Sequence, residues 1–166
     1  MMYFVMARHN DARQLIKYFG LKKDMAVCPF PVFLAEDCVL CLSGEGRVNA
    51  AAAAAYILTR WGKNGLFVHL GPGKDGAAIY PHTIRDGDIT VYQEMLFRPP
   101  HFVCDGIIED GEGVFAYLAA EKWLPLKQIM IVRSEDERIL DWLEMLCFGM
   151  MSFPISMWKK KRGITL

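Results

Sequence analysis

The 166-residue chain lacks a charge bias: nineteen Lys and Arg face nineteen Asp and Glu, a formal net charge of zero. A general nucleic-acid binder needs a basic face. The one basic cluster, Lys159-Lys160-Lys161-Arg162, reads instead as a solvated tail. No uncharged apolar run reaches the length that crosses a bilayer. The longest, Met145 to Trp158, carries Gly149, Ser152, Pro154 and Ser156. The five cysteines are odd in number and irregularly spaced, and no second pair completes a zinc site with Cys38-x-x-Cys41. With no signal peptide, they read as reduced thiols in a cytoplasmic protein. Internal repeats and low-complexity linkers are also missing. The length suits a single domain over residues 1–166 with a real core. Hydrophobic residues make up 53%. With the apolar segment Leu143 to Trp158, that fraction leads us to expect a homo-oligomer, a dimer or larger.

What is present centres on Cys38 to Trp61, CVLCLSGEGRVNAAAAAAYILTRW. A strand-length apolar run, Val39 to Leu42, meets a turn, Ser43-Gly44-Glu45-Gly46. An Ala-rich helix from about Arg47 to Trp61 follows. A helix N-terminus presents unpaired N–H groups and a positive dipole end, and glycines let a ligand approach the backbone. The expected guest is an anion, foremost phosphate, with Arg47 adding charge. The same residues partly match a dinucleotide fingerprint, Gly44-x-Gly46-x-x-Asn49, without its third glycine. Where the next strand should lead to an acidic residue, Leu66 to Leu70 runs into Gly71-Pro72-Gly73. The alternative to any ligand is a bare strand-to-helix turn.

Elsewhere strands and helices alternate. Tyr3 to Ala7 reads as a strand. Asp11 to Phe19 reads as an amphipathic helix capped by Asn10 and stopped by Gly20. Arg8, His9, Asn10 and Asp11 therefore fall at a strand's carboxyl end, where open parallel sheets bind ligands. Pro31 to Ala35 and Val39 to Leu42 flank Glu36-Asp37 as a hairpin. Leu66 to Leu70 reads as a central parallel strand with His69 near its end. Gly71-Pro72-Gly73-Lys74-Asp75-Gly76 forms a second glycine-rich loop. Ile89 to Tyr92 and Ile129 to Val132 read as strands, Glu112 to Trp123 and Asp136 to Phe148 as helices. This order predicts an α/β domain with a mostly parallel central sheet flanked by helices.

The order of motifs resembles the nucleoside phosphorylase and methylthioadenosine/S-adenosylhomocysteine nucleosidase superfamily. LSGEGRVNAAAAA is similar to its S-G-x-G-x-x-x-A-A segment. LFVHLGPGKDGA and then Gly87-Asp88-Ile89-Thr90-Val91 are similar to its glycine loop and G-D-I-V-V strand. Gly111-Glu112 stands where the family has Met-Glu, and Arg133-Ser134-Glu135-Asp136 where it has R-x-I-S-D, one residue shorter. Asp11 falls at the family's acidic turn after the first strand. The similarity spans about residues 3 to 136.

The resemblance implies cleavage of the N-glycosidic bond of a purine nucleoside by phosphate or water. Asp136 and Asp11 would be catalytic and Glu112 would bind ribose. Gly44, Gly46, Arg47, His69, Gly71 and Gly73 would form the phosphate side. Phosphate is a possible co-substrate, and no other cofactor, metal, nucleic acid or membrane is implied. The chain departs from the family in having only about a dozen residues, Gln93 to Cys104, where a long base-binding insert belongs. Gly111 also replaces the ribose-side methionine, and Pro72 a Ser or Thr. The base pocket is thus shortened, with Phe97 and Phe102 as candidates to complete it, across a subunit boundary if need be. The alternative is an inactive nucleoside- or phosphate-binding module of the same fold.

Overall fold

A computed structural model describes residues 1–62, 64–73, 78–94 and 102–134. The expected helix at 136–148 and the apolar segment 143–158 lie outside them. The elements in order are β1 (Met2–Met6), α1 (His9–Phe19), β2 (Lys22–Lys23), β3 (Val32–Ala35), β4 (Cys38–Leu42), α2 (Arg47–Trp61), β5 (Leu66–Pro72), β6 (Ala78–Ile79), β7 (Thr83–Asp86), β8 (Ile89–Tyr92), β9 (Phe102–Val103), β10 (Ile107–Glu109), α3 (Gly111–Ala120) and β11 (Ile129–Ser134).

Eight of these strands form one sheet in the order β2-β3-β4-β1-β5-β11-β6-β9. Its centre is parallel: β1 pairs with β4 and β5, and β5 with β11. Antiparallel joins occur toward both margins, β3 on β4 and β6 on β11. The expected hairpin about Glu36-Asp37 is the β3–β4 pair. The expected mostly parallel sheet is therefore its core, and the whole is mixed. The remaining strands make a small sheet, β10-β7-β8. Its β7–β8 hairpin turns at Gly87, where φ is +58°.

Side chains of a strand alternate between faces, and the two faces of the large sheet bury different layers. Phe4, Met6, Leu40, Val68 and Met130 pack against Ala12 and Leu15 of α1. Tyr3, Val5, Val39, Phe67 and Ile131 pack against α2 and α3. The alanine run was expected to bring α2 close to a sheet, but its buried stripe of Ala50, Ala53, Ala54, Ile57 and Leu58 has α3 as its main neighbour. The facing stripe of α3 is Gly113, Val114, Ala116, Tyr117 and Ala120. Two stripes this small let the helices approach closely. At Gly113 an added Cβ would lie 2.6 Å from Ile131 Cγ2.

Several boundaries differ from expectation, and three of them have a local reason. Helix α1 begins at His9, with Arg8 in extended conformation as its N-cap and no side-chain cap bond. Asn10 instead accepts a 2.9 Å hydrogen bond from Arg13 Nη2. Helix α3 ends at Ala120 rather than Trp123, the chain closing in turns to Ala119 and Ala120 carbonyls. Strand β5 extends through Pro72, because β11 pairs with it as far as Ser134 opposite Pro72.

Candidate active site

The carboxyl ends of β1, β4, β5 and β11 lie side by side, and a cleft of about 360 Å³ opens there. Its lining includes Arg8, Asp11, Glu45, His69, Gly71, Glu109, Asp110, Glu112 and Arg133. The chain order explains the position. From β1 the chain passes through α1 on one face to reach β4. From β4 it passes through α2 on the other face to reach β5, on the far side of β1. Such a reversal of direction leaves a crevice at the strand ends.

Each strand end contributes by a traceable route. After β4, Ser43 is buried and its N–H donates to the Met6 carbonyl at 2.8 Å, tying the turn to β1. Gly44 and Gly46 then take φ of +74° and +103°, values that favour glycine. The N–H of Gly46 points at α3 and donates to Glu112 Oε1 at 2.6 Å. The turn expected to receive an external anion thus holds the chain's own carboxylate. Beside it, Arg8 Nε donates to Glu45 Oε1 at 2.6 Å.

Asp110 is the N-cap of α3, its Oδ1 accepting from the Gly113 N–H at 2.8 Å. Its Oδ2 is shielded from solvent with no hydrogen-bond partner among the described residues. Asp110 was legible as a capping Asp two residues before Glu112, but its sequence neighbours pointed only to Glu112. Glu45, Glu109 and the Arg8–Glu45 pair were likewise not singled out, since only the fold brings them together.

His69 is 1% exposed, and neither ring nitrogen has a partner among the described residues. By alternation from Phe67 it falls on the α3 side of the sheet, beneath the first turn of that helix. Burial lowers its pKa, and Arg133 acts in the same direction, while Asp110 and Glu112 oppose them. The direction keeps the imidazole neutral near pH 7. A neutral imidazole carries one donor and one acceptor, without charge for an anion.

The structure thus brings Asp11, His69, Gly71 and Glu112 to one cleft. Gly44 and Gly46 do not line it; of their turn, Glu45 does. Arg47 points elsewhere: its Nη1 pairs with Asp86 Oδ2 at 2.8 Å, and its guanidinium lies 5.8 Å from the Phe115 ring centroid. The Gly73 N–H donates to the Ser134 carbonyl at 3.1 Å and continues the strand ladder. At Gly111, an added Cβ would stand 3.2 Å from the Asp86 carboxylate. The missing side chain there and the Arg47–Asp86 pair are therefore one arrangement. Phe97 and Asp136 lie outside the described residues, and for Phe102 only its place in β9 is described. Cys38 and Cys41 are buried in β4, and burial pushes the Cys41 thiol up to about 12. They are core side chains.

No protein-family model matches the chain, and no curated protein matches its sequence. Solved structures do share its fold. One is the 5'-methylthioadenosine/S-adenosylhomocysteine nucleosidase of Campylobacter jejuni, with TM-score 0.58, 12% identity, 81% of this chain and 84% of that one covered. A second is a variant of the Helicobacter pylori nucleosidase with 5'-methylthioadenosine in the active site, with TM-score 0.59, 10% identity, and 87% and 90% covered. A third is a mutant futalosine hydrolase of Helicobacter pylori, with TM-score 0.56, 10% identity, and 87% and 91% covered.

Proposed function

For a chain built on the fold of the nucleosidases, we propose cleavage of the N-glycosidic bond of a purine-type nucleoside, with water as the attacking group. The observation that carries this reading is the meeting of Asp11, His69 and Glu112 in one cleft at the strand ends. The structural neighbours support it: one was solved with methylthioadenosine in its active site and another with adenine.

The roles follow from chemistry. Breaking the bond develops positive charge on the ribose, and carboxylates in a confined cleft stabilise it. Glu112 keeps acceptor capacity beyond its bond to Gly46, enough for sugar hydroxyls. Asp11, on the first turn of α1, takes the proton of the attacking water. Asp136 protonates the departing base. Water is favoured over phosphate by the glycine turn, whose Gly46 N–H already serves Glu112, and by Arg47, which serves Asp86. The protein works as a homo-oligomer, with Phe97 or Phe102 closing the base side.

The test is turnover of adenosine, inosine, guanosine and methylthioadenosine, with and without phosphate, for wild type, Glu112→Gln and Asp136→Asn. Release of free base without phosphate, lost in folded variants, supports the reading. Release that requires phosphate makes the protein a phosphorylase. Binding without turnover makes it the inactive module.

A further inference from the structure

Asp86, at the end of β7, stands between the starts of two helices. Its Oδ2 pairs with Nη1 of Arg47, the first residue of α2, at 2.8 Å. Its carboxylate also lies against Gly111, the first residue of α3. A Cβ added there would stand 3.2 Å from Asp86 Cγ and Oδ2 and 3.3 Å from Oδ1. The Asp86 side chain is 16% exposed, against 57% for Arg47, and its Oδ2 is shielded from solvent. The contact is an ion pair rather than an aligned hydrogen bond, so an uncharged amide does not replace it. The backbone fixes the same corner: the Asp110 N–H donates to the Arg85 carbonyl at 2.9 Å.

The neighbours in sequence of these two contacts belong to the site. Gly46, before Arg47, donates its N–H to Glu112, after Gly111. Arg47 is a cation at the positive end of a helix dipole, an unfavourable place for it. The first turn of α2 has no acidic residue and no side-chain cap bond, so the compensating charge comes from Asp86 on another element. A guanidinium released by Asp86 would have Glu112 at hand, one residue along its own chain from the N–H that Glu112 accepts. We propose that Asp86 is a positioning residue: it holds Arg47 away from Glu112 and so keeps that carboxylate free for ribose. The inference rests on the nucleosidase reading and adds to it a residue outside the cleft lining.

The experiment measures kcat/KM for base release in phosphate-free buffer at low salt. The substrate is whichever of adenosine, inosine, guanosine and methylthioadenosine the wild type turns over fastest. Wild type is compared with Asp86→Asn and with the double variant Asp86→Asn, Arg47→Gln, each checked for folding by its melting temperature. Asp86→Asn should lose about tenfold, the size of coupling within one network of side chains. It should regain part of that loss as salt screens Arg47 from Glu112. The double variant removes the released cation as well, and should recover to within about threefold of wild type. A pair that only braced the fold would not be restored by losing its second member. A folded Asp86→Asn protein of wild-type activity, or a double variant as impaired as the single one, would overturn this inference and leave the nucleosidase reading standing. If the single variant does not fold, the double variant decides alone: recovery to that level upholds the inference, and a loss of about tenfold overturns it. Release of base from none of the four nucleosides by wild type would overturn both.

Discussion

The backbone N–H of Gly46 and the side chain of Glu112 meet at 2.6 Å across 66 residues of sequence. This contact joins the two motifs on which the functional reading depends, the glycine turn before α2 and the start of α3. It fixes one carboxylate oxygen at the helix N-terminus, where the dipole favours negative charge. Replacing Glu112 with Gln keeps the shape and the acceptor oxygen but removes the charge. Turnover should fall by about a hundredfold or more, with the melting temperature within a few degrees of wild type. A folded variant of undiminished activity would remove Glu112 from the mechanism.

Gln93 joins the two sheets. Its Nε2 donates to the carbonyls of Pro81 and Ile131, at 2.5 and 3.0 Å, and its Oε1 accepts the Ile131 N–H at 2.7 Å. The side chain acts as one more rung on β11, and it is 2% exposed. Gln93→Leu would leave these backbone groups buried and unpaired, at about 1–3 kcal/mol for each group left unsatisfied. Chemical denaturation should show a loss of at least about 2 kcal/mol. A loss below about 0.5 kcal/mol, the scale of a surface change, would contradict the role.

Gly113 has no room for a methyl group. A Cβ there would stand 2.6 Å from Ile131 Cγ2 and 2.8 Å from Asp110 Oδ2. Helix propensity alone would favour Ala by about 1 kcal/mol. Overpacking costs about 1–3 kcal/mol, so Gly113→Ala should be net destabilising despite propensity. Denaturation midpoints decide the sign, and a more stable Gly113→Ala variant would contradict the close fit of α3 on β11.

Burial lowers the pKa of His69 from its ordinary 6.5, with Arg133 adding to the effect and Asp110 and Glu112 opposing it. The unfolded chain then binds the proton more readily than the folded one. The stability tied to the neutral ring is complete above about 6.5 and is lost as pH falls from there through the lower folded value. His69→Gln should flatten the fall of melting temperature between pH 7 and 5. An unchanged slope would show that other groups set it.

Much of this arrangement was readable from the residues. Six consecutive alanines marked α2 as a helix, and the glycine turn before Arg47 and Gly62 after Trp61 gave its bounds. The continuous apolar runs in β1, β5 and β11 marked strands buried on both faces. The short strands were not readable. Lys22–Lys23 is an exposed edge of two lysines, a polar edge of the kind that blunts sheet-to-sheet pairing. Thr83–Asp86 owes its strand form to its hairpin partner Ile89–Tyr92 and to Ile107–Glu109, which pairs with it in parallel. At the site, Asp11, His69 and Glu112 could be named because each sits next to a strand end or helix start. Arg47 looked like an anion ligand from its place at a helix N-terminus. Its partner Asp86 comes from a hairpin that sequence spacing did not reveal. Asp110 and Arg133 became part of the cleft only through the order of strands in the sheet.

The most direct test of the account is release of free base from a purine nucleoside in phosphate-free buffer, comparing wild type with Glu112→Gln. The account predicts base and ribose in equal amounts from wild type, no stimulation by added phosphate, and at least about a hundredfold less from the folded variant. A wild-type protein that releases no base with or without phosphate would contradict the enzymatic reading. Equal release by the folded Glu112→Gln protein would contradict the site.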